Sequence, residues 1–451
     1  MTDTTSSPTF LRAVGVLGLG AAIFNCTVGG GIFRLPSGAA AAAGSAAPFV
    51  YLICAAVIGC VVLCFAEVGS RVPRTGGPYA YVEAAYGRYS GFLAGVLLWM
   101  IGTTAVAGVG SAFAEGLAAL AGLPAIRTPV IVGTFVLLAT VNIRGVEQGA
   151  RLVMIASIAK LLPLLVFVGV GVFFVERSNL VIESAPPASD LARAATILIF
   201  AFMGVETALV PSGEVKDPVR AVPRALALAM IGVTVLYLCI HLVAAGLLGP
   251  RLATATIAPL AVAAQRFLGT PGYLLLIIGA SISMFGYLSG MTLAAPRALW
   301  KFADEGLLPK SLGAIHVRFR TPHVAIVVQS LLVTTLAVFN SFEQLAIIAN
   351  LSALLLYGAV AVATLVLRRR DVRHEGTTPF RVPGGALVPM LTVGLIAWLL
   401  TSITQTEWAA LVTTLLVASI FYAVRSRLAA HGASRQRTID DKGGHAPARE
   451  R

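Results

Sequence analysis

The sequence predicts an all-α protein built inside a membrane, and three observations carry that prediction. Of its 451 residues, 57% are hydrophobic and 12% charged, with a mean hydropathy of +0.88, well above that of globular chains. Charge-free apolar runs recur at lengths able to cross a hydrocarbon core of ~30 Å, which takes about 20 helical residues. Two of these runs are interrupted. One reads Thr27-Val28-Gly29-Gly30-Gly31-Ile32-Phe33, and the other, midway along, reads Phe200-Ala201-Phe202-Met203-Gly204-Val205-Glu206. Three successive glycines cannot continue a good helix, because each adds backbone freedom that must be frozen. At membrane depth, irregular backbone survives only where protein or a water-filled cavity surrounds it. Paired breaks in corresponding places of two halves point to the binding site of a secondary transporter.

The elements follow in order. A Ser/Thr-rich tail (1–11), expected on the cytoplasmic side, leads through Ser6-Ser7-Pro8 and Arg12 straight into span 1 (12–42), so no cleavable signal peptide is expected. Spans 2 to 5 cover 46–70, 90–121, 128–144 and 151–175. Span 6 (192–212) carries the second break, and spans 7 to 10 cover 223–248, 268–299, 322–340 and 343–367. Spans 11 and 12 cover 384–404 and 406–424, a total of twelve. The external stretches around 176–191 and 249–266 are too short for a soluble domain. The polar tail 425–451 lacks apolar periodicity and is expected to be disordered. Residues 12–424 thus form one transmembrane domain.

Charge placement orients it. With both termini cytoplasmic, only Arg127, Arg177, Arg193, Arg251 and Arg266 of the 33 basic residues fall in external segments. Arg34 and Lys160 lie within spans, and the remainder sit inside, clustered at Arg368-Arg369-Arg370 and in the tail. That asymmetry matches the positive-inside bias. The net charge of +13 is therefore a topological signal with attraction to anionic lipid, not a nucleic-acid footprint. The five cysteines all fall in apolar spans and are expected as packed thiols without metal; Cys26, beside the first break, is the one placed to meet reagents from a cavity.

The two breaks lie five spans apart, so the second copy has the opposite membrane orientation. Spans 1–5 (12–175) and 6–10 (192–367) then form an inverted repeat, with 384–424 as additional helices.

Four patterns over residues 12–310 resemble the amino acid–polyamine–organocation (APC) transporters. Gly29-Gly30-Gly31-Ile32-Phe33 is similar to that family's Gly-Ser-Gly-Ile-Phe break, with Gly30 in place of the serine. Pro73-Arg74-Thr75-Gly76-Gly77-Pro78-Tyr79 resembles its loop after span 2. Phe202-Met203-Gly204-Val205-Glu206, with Gly213-Glu214-Val215-Lys216-Asp217-Pro218, resembles its span 6–7 signature. Ala295-Pro296-Arg297 leading to Asp304-Glu305-Gly306-Leu307-Leu308-Pro309 resembles the loop after span 8. The resemblance implies a leucine-transporter-type fold with broken helices 1 and 6.

It also implies site residues. An amino acid zwitterion carries two charges that are costly to desolvate without partners. Backbone N–H groups at a half-helix N-terminus suit a carboxylate. By resemblance, the N–H groups of Gly30 and Gly31, with Gly29, receive the carboxylate, and the carbonyls of Thr27, Phe200 and Met203 receive the ammonium. Phe200 aligns with an aromatic that covers the substrate side chain, and Phe202 is a gate candidate. Val106 and Met291 align with pocket positions and are apolar here, which favours a neutral, apolar amino acid over arginine or a polyamine; exchange of cationic substrates is the alternative.

Counting from Arg151 at ~1.5 Å per residue puts Lys160 about 14 Å into span 5. A lysine there must face a cavity or a partner. By resemblance it stands in for a sodium ion, which implies sodium-independent transport with Lys160 either coupling protons or serving as a strut. Glu206, at the second break, either satisfies local backbone or takes part in coupling.

No convergent catalytic set and no phosphate-binding glycine loop followed by lysine appear, so neither an enzyme nor an ATP-driven pump is expected, and no cofactor or metal. Expected partners are an amino acid, protons and the lipid bilayer of the plasma (cell inner) membrane. Proton symport and amino acid exchange stay open, and a sensor that binds without transporting is the rival from another class.

Overall fold

Glycine decides where the first apolar run stops being a helix. The computed structural model of the protein describes residues 15–72, 77–144, 160–182, 186–204, 218–304, 306, 308–373 and 378–443. Helix α1 (Val16–Thr27) stops at Val28, a 3-10 turn takes Gly30–Phe33, and α2 (Leu35–Ala43) resumes the run with Pro36 in its first turn. Proline is tolerated there because first-turn N–H groups have no intrahelical partner to lose. After Gly44 (φ 54°), α3 covers Ala47–Arg71. Gly87 (φ 91°) separates α4 (Pro78–Tyr86) from α5 (Arg88–Ala121), which closes on left-handed Gly122. Helices α6 (Arg127–Arg144) and α7 (Leu161–Gly171) complete the first half.

The second half opens with α8 (Ala188–Phe202), which ends where Met203 turns extended and Gly204 takes φ 115°. Then come α9 (Pro218–Leu248), α10 (Pro259–Asp304) and α11 (His323–Phe339). Helix α12 (Phe342–Arg369) starts on a capping box between Ser341 and Gln344. The last helices are α13 (Leu387–Leu400) and α14 (Gln405–Gly443).

Two boundaries differ from expectation. Residues 259–266, expected in an external loop, are helical and join span 8 across a kink at Gly269 (φ 62°, ψ −151°). Their Pro-Leu-Ala-Val-Ala-Ala start combines a first-turn proline with good helix formers. The tail, expected to be disordered from 425, continues α14 as helix to Gly443; its alanines and arginines favour that state.

Seven helical stretches among the described residues are long and apolar enough to cross a membrane, and four shorter apolar helices accompany them. Large apolar side chains such as Leu162, Ile231, Leu331 and Ile420 lie more than half exposed, as a lipid-facing surface requires. The protein is a multi-pass integral membrane protein.

Two sets of contacts organise the helices, joined by α12, which also packs on α3 and α8. In one, α1 packs on α9, α9 on α3, and α3 and α2 on α8. In the other, α5 packs on α12, α10, α11 and α6. Helix α5 is the centre, 83% of its most apolar window being buried, whereas α14 is peripheral at 6%. Buried amides tie elements together: Gln329 accepts from Trp99 and donates to Thr103, each at 2.9 Å, and Asn350 donates to the Thr196 carbonyl at 2.6 Å. The 3-10 turn of the first break sits where the groups meet, against α8 on one side and α10 on the other.

Candidate functional site

The first break leaves α1 with carbonyls to satisfy and the 3-10 turn with amides to spare. At a helix C-terminus the last carbonyls lack intrahelical donors. Val28 N–H still reaches the Phe24 carbonyl at 2.9 Å. The next carbonyl, that of Asn25, accepts from Lys160 Nζ at 2.6 Å. Lys160 is buried, and an ammonium at the negative end of a helix dipole is favourably placed. The expectation that this lysine finds a partner is met by backbone.

The Thr27 carbonyl departs from expectation. Rather than standing open for an ammonium, it accepts the Gly29 N–H at 2.8 Å and lies 2.9 Å from the Tyr237 hydroxyl. The Gly29 N–H engages one lone pair and the Tyr237 hydroxyl competes for the other, so an ammonium reaches it when that proton turns elsewhere. Tyr237 lies equally close, 2.9 Å, to the Ala201 carbonyl next to the second break. One phenolic proton thus stands between the carbonyls of both broken helices. Tyr237 is a functional candidate that the sequence analysis missed, although a hydroxyl deep in an apolar run always requires a partner.

Because Gly29 spends its N–H on Thr27, the amides heading the 3-10 turn are those of Gly30 and Gly31. The first N–H groups of such a turn have no partner within it. Both residues are buried. A Cβ on Gly31 would lie 3.1 Å from the Phe200 ring, and one on Gly30 would lie 2.9 Å from Met284 Cγ and 3.5 Å from Val109.

The second break meets the first backbone to backbone. A Cβ on Gly204 would stand 2.8 Å from the Cys26 carbonyl oxygen, and φ 115° already disfavours any L side chain there. Just before it, Met203 N–H makes a long 3.4 Å contact to the Phe200 carbonyl, leaving that acceptor weakly used. Phe200 covers Gly31 and meets Phe342 edge-on, with ring centroids 5.4 Å apart. Phe202 is fully buried, edge-on to Tyr237 at 5.3 Å. Cys26 is exposed, whereas Cys54 and Cys64 are buried.

The remaining candidates are distributed differently. Val106 is buried on α5, and Met291 packs its tip 3.5 Å from the Cβ position of Gly102. The side chains that touch the Gly30 position are Val109, one helical turn after Val106, and Met284, two turns before Met291. Sequence alignment anchored on Trp99 locates the helices but not which turn faces the break. Glu206 lies outside the described residues, as do 12–14, 73–76, 151–159, 205, 207–217, 305 and 307 of the motifs and spans quoted above.

Formal charge gathers in two clusters, one of them directly after the first break, where Arg34 caps the 3-10 turn. Arg34, buried, pairs with Glu115 and approaches Glu343 at 3.6 Å, while Arg127 joins Glu115 at 3.2 Å and donates to the Val338 and Ala337 carbonyls. At the other end of the bundle, the buried carboxylate of Glu67 accepts from Arg71, Arg368 and the Val382 N–H. The centre is therefore a set of oriented peptide groups with one buried ammonium, flanked by ion pairs. Such a centre can hold a small zwitterion by both ends.

A family profile described as amino acid permease matches residues 14–431. The methylthioribose transporter of Bacillus subtilis is 26% identical over 433 residues, covering 91% of this chain and 92% of that protein. The serine/threonine exchanger SteT of the same organism is 27% identical over 433 residues, covering 93% and 98%. The branched-chain amino acid permease BcaP of Lactococcus lactis subsp. cremoris is 27% identical over 390 residues, covering 80% and 83%.

Proposed function

This chain belongs to the amino acid permease family, whose members are transporters rather than enzymes, and from that premise we propose that it carries neutral, mainly apolar amino acids across the plasma membrane by alternating access, without sodium. The observation that carries this proposal is the contact of two broken helices at Gly204 and Cys26, beside the amides of Gly30 and Gly31. Those amides receive the substrate carboxylate. The ammonium is received by the carbonyls of Phe200 and Met203, and by that of Thr27 when the Tyr237 hydroxyl swings to Ala201. Phe200 closes over the bound molecule, and Glu206 at the second break takes part in coupling or gating.

In this proposal the chain crosses the membrane twelve times with both termini in the cytoplasm. Spans 1–5 and 6–10 are inverted copies in a leucine-transporter-type arrangement. The two packing groups support it: the one holding both breaks rocks against the one built on α5. Lys160 occupies the place of a coupling cation, holding α1 through Asn25. Similarity to a serine/threonine exchanger and a branched-chain permease supports neutral substrates, with exchange or proton symport as the mode.

Reconstituted protein should drive counterflow of a labelled neutral amino acid into preloaded vesicles. Saturable binding with no counterflow would mark a sensor and end the transport proposal. Uptake driven by an imposed pH gradient alone indicates symport; dependence on internal amino acid indicates exchange. In either case Lys160→Ala should abolish concentrative uptake, and uptake of unaltered pH dependence in that variant would remove Lys160 from coupling.

A further inference from the structure

Between α10 and α11 the chain carries cations and apolar side chains side by side. From Gly306 to Phe342 the sequence holds no acidic residue, while Lys310, Arg318 and Arg320 stand exposed. Arg144, exposed at the end of α6, joins them, because the Thr321 hydroxyl donates to the neighbouring Ile143 carbonyl at 2.8 Å. Among the described residues, the last acid before this stretch is Asp304, and it faces Lys301 at 3.7 Å.

The loop that presents these cations is closed on itself. His316 N–H donates to the Thr321 carbonyl at 2.8 Å, and Arg320 N–H to the His316 carbonyl at 2.9 Å. His316 Nδ1 accepts the N–H groups of Arg318 and Phe319, each at 3.2 Å. Phe319 folds back on the His316 ring, with centroids 4.8 Å apart. At the start of the segment, Arg425 of α14 donates to the Leu308 carbonyl at 2.9 Å. Left outside this closure are Val317, 91% exposed, and Ile315, alternating with the two arginines. Arg320 holds φ 55°, a left-handed conformation that strains an arginine and would cost glycine nothing.

Helix length sets the depth of this loop. The 17 residues of α11 reach ~25 Å, less than a hydrocarbon core of ~30 Å, so the ends of α11 lie at the edges of that core. Its exposed Val327, Val328 and Leu331 begin about one turn after His323. Val317, six residues before His323, then falls in the headgroup layer. There an apolar tip reaches the acyl boundary while arginines meet phosphate. Water offers an exposed valine nothing, and a second copy of the chain in a two-fold contact would bring the same cations face to face.

We propose that the loop 315–320, with Lys310 and Arg144, binds the headgroup of an anionic phospholipid in the cytoplasmic leaflet. This inference rests on α11 crossing the bilayer as proposed above, and it is independent of what the chain transports.

The test uses the full chain, purified and delipidated in neutral detergent, with short-chain phosphatidylglycerol and phosphatidylcholine of equal chain length as probes. Phosphatidylglycerol should raise the melting temperature saturably, and phosphatidylcholine should act about tenfold more weakly or less. Equal action of the two lipids would overturn the inference. Arg318→Gln with Arg320→Gln should weaken the phosphatidylglycerol effect by about tenfold or more, and Val317→Ser by a few-fold. These side chains are exposed, so the variants should melt like the unaltered protein when no lipid is added. Removing two charges from the tail instead, Arg435→Gln with Arg437→Gln, should leave the effect unchanged; an equal loss there would mean diffuse attraction and no site. Stabilisation by inorganic phosphate alone would overturn lipid as the occupant, as would self-association lost in Val317→Ser with lipid binding intact. A Val317→Trp variant in vesicles of brominated lipid separates the two ways to fail. Quenching of the added tryptophan without headgroup preference would leave α11 across the bilayer and remove only the site, whereas absence of quenching would remove both.

Discussion

The two helix breaks do the same thing to the chain by opposite means. The first uses three consecutive glycines, and each is only moderately demanding: the atoms nearest the Cβ positions of Gly30 and Gly31 belong to the side chains of Met284 and Phe200. The second relies on a single glycine, Gly204, whose left-handed φ and 2.8 Å approach to the Cys26 carbonyl leave nothing that can step aside. A side chain can rotate away from an intruding methyl group; a peptide group held at a helix end cannot. The lesson is that glycine density in the sequence marks where amides are exposed, whereas the strictest steric requirement falls on the lone glycine.

That contrast can be broken by substitution. The largest effect is expected for Gly204→Ala, which must strain the backbone by about 1–3 kcal/mol and separate the two breaks. Transport should fall to background and thermal stability of the purified protein should drop. A Gly204→Ala variant that melts and transports like the unaltered protein would mean the breaks do not touch.

An intermediate effect is expected for Tyr237→Phe. Removing the hydroxyl leaves the Thr27 and Ala201 carbonyls without their shared donor, a loss of about 1–3 kcal/mol where such groups are buried. Substrate affinity measured by thermal shift should rise a few-fold, because the Thr27 carbonyl no longer has to exchange a hydroxyl for the ammonium. Equal affinity in Tyr237→Phe would show that the substrate reads neither carbonyl.

The smallest effect belongs to Gly30→Ala. Met284 must shift at its Cγ, so stability should fall by about 1 kcal/mol, the low end of overpacking costs, while affinity drops a few-fold. Loss of folding in Gly30→Ala comparable to that of Gly204→Ala would erase the distinction between the two breaks.

Much of the architecture was legible in advance. Apolar run length places α3, α5, α6, α9, α11 and α12 within a few residues of the expected spans, because spanning a hydrocarbon layer by helix is close to a one-dimensional problem. The breaks were legible for the same local reason. So was the need of Lys160 for a partner, although its choice of the Asn25 carbonyl was not. The side chains at the Gly30 position are Val109 and Met284, on the same helices as the pocket candidates Val106 and Met291.

What the sequence alone determined is a membrane-embedded helical chain with two interruptions and one deep lysine, since these follow from the cost of leaving peptide groups or charge in hydrocarbon. Tertiary structure alone decided which peptide groups remain open. Tyr237 and the Gly29 amide take the Thr27 carbonyl, Lys160 takes that of Asn25, and the Gly30 and Gly31 amides are left at the head of their turn. The Tyr237 and Lys160 assignments depend on the distance between residues far apart in the chain, and helix rotation by a single turn would reassign them without altering the hydropathy of any span.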